Sequence, residues 1–324
     1  MTDTMDPATE TMNGTMKAVS QDELGGPDVL KLVTVPTPEP GISEILIRVH
    51  AAGVNPIDGA QRQTGAFVGQ PPFVLGWDLC GAVEAVGPGV TLYQPGDVVF
   101  GMLPFPQGHG AYAQYAVGPT RVFVRKPDRL DHVHAAAIPM VGLTAWQALV
   151  DTAGVGAGSR VLINGAAGGI GHLAVQIAKA RGAHVIGTAS RGKHDLLHDL
   201  GIDEAVDYRA EAFERVVEPV DLVYDLIGGD VAKRSLDVLH PDGRLICLPS
   251  ASAAEAMAAA ADRGLRATGM LVEPDGDGLE ELAHLVDDRR LRVLVAETFP
   301  LERASHAHRA GELGHTTGKL VLTV

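Results

Sequence analysis

The spacing of apolar runs along the chain changes once, near residue 135. Before it, short runs at 30–35, 44–49, 74–86, 97–100 and 111–117 are separated by Pro- and Gly-rich turns, the pattern of a β-rich unit. After it, residues 135–138 and 144–149 read as helical on either side of Pro139. Strands are then expected at 161–163, 183–189, 205–208, 221–225, 244–248 and 265–272, with helices such as 193–200 and 251–261 between them. Strands alternating with helices in this rhythm form a doubly wound parallel sheet. An amphipathic helix is expected at 279–286. Runs at 291–299 and 319–324 return to strand character, so the chain is expected to rejoin its first unit. Residues 1–15 read as a loose tail, with the folded part starting at Met16.

One strand–turn–helix stands apart. Val161, Leu162 and Ile163 form an apolar strand run, Gly165, Gly168 and Gly171 follow, and Ile170, Leu173, Ala174, Ile177 and Ala178 repeat at helical spacing. Such glycines permit a tight turn, close approach of a pyrophosphate and close helix–sheet packing. The helix start adds free N–H groups and a positive dipole end. The spacing is G-x-x-G-x-x-G rather than the commoner G-x-G-x-x-G, and such a turn also serves a plain strand–helix connection. The next strand ends Thr188-Ala189-Ser190-Arg191-Gly192-Lys193, without the acid that binds an NAD ribose. A hydroxyl and two cations suit a 2′-phosphate instead, so NADP is the expected cofactor. The competing reading makes Arg191 and Lys193 solvated charges at a helix start. Tyr208, ending the third strand, either covers that phosphate or is a half-buried strand aromatic.

Composition sets the outer bounds. A chain of 324 residues has room for two domains, and 46% hydrophobic residues with 39 glycines is a globular composition. The net charge of −14 argues against nucleic acid or an anionic membrane as main partner. Two distant cysteines, Cys80 and Cys247, exclude a disulfide framework. No apolar stretch is long enough for a membrane span, and the polar first residues do not form a secretory signal, so a cytoplasmic location is expected.

Further segments carry a family resemblance. They are Gly53-Val54-Asn55-Pro56-Ile57-Asp58, Gly76-Trp77-Asp78-Leu79-Cys80-Gly81, Gly96-Asp97-Val98-Val99, Gly110-Ala111-Tyr112-Ala113-Gln114-Tyr115 and Gly142-Leu143-Thr144-Ala145-Trp146. The glycine loop, Ser190-Arg191, Asp225-Leu226-Ile227-Gly228-Gly229 and Gly318-Lys319-Leu320-Val321-Leu322 complete the set. With them the chain resembles the zinc-independent medium-chain dehydrogenase/reductases, in the quinone oxidoreductase and enone reductase branch. The resemblance implies an α/β fold with a GroES-like β-rich catalytic domain, 16–134 with 273–324, and a Rossmann NADPH-binding domain, 135–272. It also implies a homodimer formed through 265–272.

By the same resemblance, Thr144 lies beside the nicotinamide, and Gly168, Gly169 and Ile170 lie on the pyrophosphate. Ser190, Arg191, Lys193 and Tyr208 hold the 2′-phosphate end. Ile227, Leu248, Pro249 and Ser250 line the track between, and Lys319 joins the cofactor-binding set. Asn55 reaches toward nicotinamide or substrate, although Asn55-Pro56-Ile57-Asp58 is equally a good helix start. Zinc-containing relatives hold their metal through a Cys and a His-Glu pair. Asn55 and Trp77-Asp78 stand at those positions, so no metal site is expected.

The implied activity is NADPH-dependent hydride transfer to a quinone or an α,β-unsaturated carbonyl. Asn55, backbone N–H groups or ribose hydroxyls would stabilise the developing oxyanion. Tyr112 is a candidate proton donor, against the reading that it packs in a strand. Phe67, Phe73, Met102 and Phe105 are candidates for an apolar pocket wall or for core. The alternatives are a dedicated enoyl or enone reductase of a biosynthetic pathway, an NADPH-binding protein with little turnover, and a redox-neutral cyclase or isomerase.

Overall fold

The computed structural model describes residues 14–248, 250–314 and 316–324, so most of the expected tail, and Pro249, lie outside the described residues. The first part of the chain holds strands β1 (Thr15–Gln21), β2 (Lys31–Pro36), β3 (Glu44–Val54), β4 (Phe73–Val74), β5 (Asp78–Val86), β6 (Val98–Met102), β7 (Tyr115–Pro119) and β8 (Phe123–Arg125). Strand β1 begins one residue before the expected start of the folded part, with Thr15 paired to Pro36. One helix, α1 (Pro56–Thr64), interrupts these strands directly after β3.

Two helices lead into the second part, α2 (His132–Ala136) and α3 (Pro139–Trp146). Helical pieces lie on either side of the junction at Pro139, as the sequence suggests, with their bounds shifted. Pro139 opens α3 at the position where its missing N–H costs nothing. Every residue of α3 is buried, because the helix is packed on all sides.

The second part then alternates as its periodicity predicts: β9 (Arg160–Asn164), α4 (Gly171–Ala180), β10 (His184–Ala189), α5 (His194–Asp199), β11 (Glu204–Asp207) and β12 (Val220–Asp225). It continues with α6 (Asp230–Ser235), β13 (Leu239–Cys247), α7 (Ser250–Asp262) and β14 (Arg266–Gly269). These six strands form one parallel sheet in the order β11-β10-β9-β12-β13-β14. That order reverses direction between β9 and β12, the point at which open α/β sheets bind ligands. The mixed α/β architecture is therefore a parallel Rossmann-like sheet beside a GroES-like β unit. Val161, Leu162 and Ile163 are fully buried, as strands covered on both faces must be.

The chain ends with α8 (Gly276–Asp287), β15 (Val295–Pro300), α9 (Ala304–Glu312) and β16 (Lys319–Thr323). Strands β15 and β16 return to the first part, where the sheet runs β15-β16-β3-β5-β6-β8 with β7 also paired to β3. The return of the C-terminal strands is the feature that builds the site. Leu320 pairs with Val54 and Leu79 with Ala52, so the first residue of β16 and the first of β5 flank the end of β3.

Candidate active site

Three polar residues converge where β3 ends. Asn55 follows β3, Asp78 opens β5 and Lys319 opens β16, and all three are buried. Asn55 Nδ2 donates to Asp78 Oδ2 at 2.9 Å, and Lys319 Nζ donates to Asn55 Oδ1 and, at 2.8 Å, to the Val54 carbonyl. The Lys319 ammonium lies 4.0 Å from Asp78 Oδ2, and Asp78 Oδ1 accepts the Met140 N–H at 2.8 Å. Gly53 makes room for this. A Cβ there would stand 2.9 Å from Asp78 Oδ2 and 2.6 Å from the Ala136 carbonyl. Burial pushes the Asp78 carboxyl up and the Lys319 ammonium down, and each charge opposes the shift of the other.

Behind Asn55, the helix start forms as its residues predict. Asp58 Oδ2 accepts the Asn55 backbone N–H at 2.7 Å. The Asn55 side-chain amide donates one N–H to Asp78 and accepts from Lys319.

The glycine loop faces this cluster. Gly165 has φ 78°, and the Gly168 N–H bonds the Gly165 carbonyl at 3.0 Å. A Cβ on Gly171 would lie 2.3 Å from that carbonyl, so the turn tolerates no side chain there. Gly168, Gly169 and Ile170 are half-buried at its crest. A Cβ on Gly169 would meet the Gly318 carbonyl at 3.4 Å and Lys319 Cδ at 3.5 Å, which puts Lys319 between the loop and Asn55. His172 locks the loop from below, with Nδ1 at 3.0 Å from the Gly168 carbonyl and Nε2 accepting the Leu294 N–H at 3.0 Å.

A buried polar net fixes the crevice between β9 and β12. Asn164 Nδ2 donates to Asp225 Oδ1 at 3.2 Å and to Ser235 Oγ at 2.9 Å, and Thr188 Oγ1 bonds Asn164 Oδ1 at 3.3 Å. The Gly165 N–H reaches Thr188 Oγ1 at 3.2 Å, and Asp225 accepts the Gly228 N–H at 2.7 Å. Asp225 thereby shapes the Ile227 turn, with Ile227 itself exposed. A glycine crest open to solvent, beside a rigid crevice at the switch point, fits a dinucleotide pyrophosphate.

The remaining sequence-assigned residues divide. Ser190, Arg191 and Lys193 follow β10, and Tyr208 follows β11 one residue past the Ala189–Asp207 pair, so the four share one end of the sheet. Tyr208 is exposed, and the Arg209 guanidinium lies 5.7 Å from its ring centre, a third cation that the sequence reading passed over. Thr144 is buried, with Oγ1 2.6 Å from the Met140 carbonyl, and the Tyr224 hydroxyl holds the Thr144 carbonyl at 3.2 Å. Leu248 follows β13 half-buried, and Ser250 opens α7. Tyr112 is not brought to the cleft. It is fully buried, and its hydroxyl points at Asp58. Of the proposed pocket wall, Met102 and Phe73 are core, whereas Phe67 is exposed and packs edge-on to Phe105, which packs in turn on Trp77.

A zinc ion does not fit the convergence of Asn55, Trp77 and Asp78. The indole offers no lone pair, Asn55 Oδ1 is taken by Lys319, and a second cation would sit against that ammonium. Among the described residues, no group of three or more His, Cys, Asp or Glu is arranged to hold a metal.

Comparison with known proteins shows the family to which this fold belongs. Residues 41–128 match the alcohol dehydrogenase GroES-like domain, and residues 200–322 match a model described as zinc-binding dehydrogenase. The chain is 35% identical to a 2-haloacrylate reductase of Burkholderia sp, over 92% of this chain and 96% of the relative. It is 33% identical to a chloroplastic NADPH-dependent alkenal/one oxidoreductase of Arabidopsis thaliana, over 95% and 79%. The solved quinone oxidoreductase of Coxiella burnetii superposes with a TM-score of 0.92 at 40% identity, over 96% of this chain and all of that one. The chain belongs to the medium-chain dehydrogenase/reductase superfamily of oxidoreductases, in the branch that holds the quinone oxidoreductases and 2-haloacrylate reductase.

Proposed function

We propose that the protein is a zinc-independent, NADPH-dependent oxidoreductase that transfers hydride to a quinone or an α,β-unsaturated carbonyl. The observation that carries this reading is the Asn55–Asp78–Lys319 cluster. Asn55 and Asp78 stand at positions where the resemblance puts the metal ligands of zinc-containing relatives, and the cluster abuts the glycine loop. NADPH, when bound, supplies the hydride. Gly168, Gly169 and Ile170 would hold its pyrophosphate, and Ser190, Arg191, Lys193 and Tyr208 its 2′-phosphate, with Arg209 adding charge.

Asn55 is the group this reading places against the acceptor. One N–H of its amide is spent on Asp78, which leaves the other to polarise a conjugated carbonyl and meet the oxyanion that develops. Lys319 and Asp78 fix the amide so that it does not reorganise during the step. Phe67 and Phe105 offer an apolar edge for a hydrophobic acceptor. The division into 16–134 with 273–324 and 135–272, a homodimer through the open edge of β14, and a cytoplasmic location belong to the same proposal. Among the described residues, no helix is long and apolar enough to cross a membrane.

The test is NADPH oxidation against a benzoquinone, a naphthoquinone, an alkenal and a cyclic enone, with NADH in parallel and with chelator present or absent. Chelator-resistant turnover that favours NADPH is expected. Chelator-sensitive turnover would overturn the metal-free reading, and tight NADPH binding with no acceptor reduced would favour a binding protein.

A further inference from the structure

Behind Asn55 runs a buried chain of hydrogen bonds with a fixed direction. Asp58, the third residue of α1, is fully buried, and its Oδ2 accepts from both the Asn55 N–H at 2.7 Å and the Tyr112 hydroxyl at 3.0 Å. With its one proton so committed, the Tyr112 oxygen acts as acceptor toward His308 Nε2 at 3.3 Å. His308 Nδ1 lies 2.9 Å from Arg62 Nη1, which can only donate, so the imidazole is neutral with its proton on Nε2. The fully buried Arg62 guanidinium ends the chain at Glu312, 2.6 Å away on the exposed side of α9. Every donor between Arg62 and Asp58 therefore points toward the carboxylate, and donors aligned in series polarise one another.

We propose that Asp58 is a positioning residue for hydride transfer, and that Tyr112 and His308 form with it a one-way donor chain that keeps its carboxylate ionised and so keeps Asn55 and Lys319 in their working arrangement. The proposal rests on the function proposed above.

Asp58 stands among charges from every element packed on it. Arg62 lies on its own helix, His308 and Glu312 on α9, Tyr112 on the segment before β7, Asp78 on β5 and Lys319 on β16. Burial and Asp78 push its carboxyl up to about 7, while the Asn55 N–H, Tyr112 and Lys319 pull it down. Near neutral pH the group is poised, and the loss of one donor tips it to the neutral acid. A neutral Asp58 removes one of the two negative charges that stabilise the Lys319 ammonium, the ion that grips Asn55. Among the described residues Asp58 Oδ1 has no partner, so the charge depends on the donors at Oδ2.

The experiment compares wild type, Tyr112→Phe and Asp58→Asn in the full-length protein. It uses two readouts. One is turnover of NADPH with a naphthoquinone across pH, and the other is the infrared carboxylic-acid band that Asp58→Asn abolishes. In wild type, both follow one midpoint, with turnover rising as Asp58 ionises. Tyr112→Phe moves both midpoints up by about one to two pH units, the worth of one hydrogen bond to a charged group. Its turnover recovers at high pH, and NADPH affinity by fluorescence stays within about twofold, since the chain touches Asn55 and not the phosphates. Asp58→Asn shows low turnover with no such midpoint. His308→Leu, one step farther out, shifts the midpoint the same way by less and serves if Tyr112→Phe does not fold. Midpoints that do not move, or an Asp58→Asn profile like wild type, overturn the proposal. No turnover of any acceptor by wild type overturns the proposed function and the positioning role with it, whereas normal wild-type turnover with unmoved midpoints overturns this proposal and leaves the proposed function standing.

Discussion

Lys319 and Asn55 lie 264 residues apart and are joined by a buried hydrogen bond from the ammonium to Oδ1 of the amide. Because Asn55 Nδ2 bonds Asp78, the amide cannot flip without breaking both contacts. Lys319→Met should leave Asp78 and Asn55 Oδ1 without their cation. Breaking one side of a buried pair costs roughly 3–5 kcal/mol, so a lowered Tm is expected. A fall in turnover of about tenfold or more should accompany it, since a misplaced oxyanion donor acts on the transition state. Unfolding curves and NADPH turnover read the two effects separately. A variant with wild-type turnover would remove Lys319 from the site.

Two glycines near the cofactor crevice make a paired test. Gly171→Ala puts a methyl 2.3 Å from the Gly165 carbonyl and 2.7 Å from Ala166 backbone atoms, so the turn itself must open. NADPH affinity should fall by at least about tenfold, because the N–H groups proposed to meet the phosphates ride on that turn. A Cβ at Gly192 meets nothing within 4 Å. Gly192→Ala should bind NADPH within about twofold of wild type, as an exposed substitution away from special backbone does. Fluorescence titration measures both.

Much of this was legible in the chain itself, for identifiable reasons. The parallel sheet reads clearly because β9, β10 and β12 are apolar runs buried on both faces, so their composition carries the signal. The C-terminal return also reads, because β16 ends the chain as an apolar strand. Helix α9 was not assigned. Its Ala-Ser-His-Ala-His-Arg-Ala-Gly-Glu has no long apolar stripe, and only tertiary contacts orient His308 and Arg62 toward each other. The same holds within the site. Asn55 and the glycine loop announce themselves by motif, whereas the roles of Asp58, Arg62, His308 and Glu312 exist only once α1 and α9 meet. Tyr112 was a candidate donor to substrate because sequence gives a hydroxyl and not its direction.

Cofactor preference should follow the cations after β10 and β11. Arg191, Lys193 and Arg209 make no ion pair among the described residues, so their charge is free for a phosphate. Arg191→Ala or Lys193→Ala should weaken NADPH by about tenfold, the scale of one charge-assisted hydrogen bond, and leave NADH within about twofold. Arg209→Ala should act the same way, since its guanidinium lies 5.7 Å from the Tyr208 ring centre. Parallel NADPH and NADH titrations decide this. Equal losses for both cofactors would assign these residues to the fold and not to the 2′-phosphate.

The pH dependence of stability should carry two opposed contributions that single substitutions separate. Burial holds His172 down to about 4 from its usual 6.5, with Lys319 adding repulsion. Between those values the unfolded chain binds a proton that the native protein does not, so the His172 contribution is present above about pH 6.5 and lost as pH falls toward 4. Relative to His172→Gln, which does not titrate, wild type should lose on the order of 3 kcal/mol across that window. Asp58 works in reverse. Its carboxyl is raised from 3.8 to about 7, so the native protein binds the extra proton between them. That contribution is present below about pH 4 and lost as pH rises through 7. Relative to Asp58→Asn, wild type should therefore weaken as pH rises from 4 to 7. Urea unfolding of the three proteins at intervals from pH 4 to 8 tests both signs. A His172→Gln difference that does not vary with pH would mean that the imidazole beneath the glycine loop takes up a proton as readily in the folded protein as in the unfolded chain, against the Leu294 N–H that it accepts.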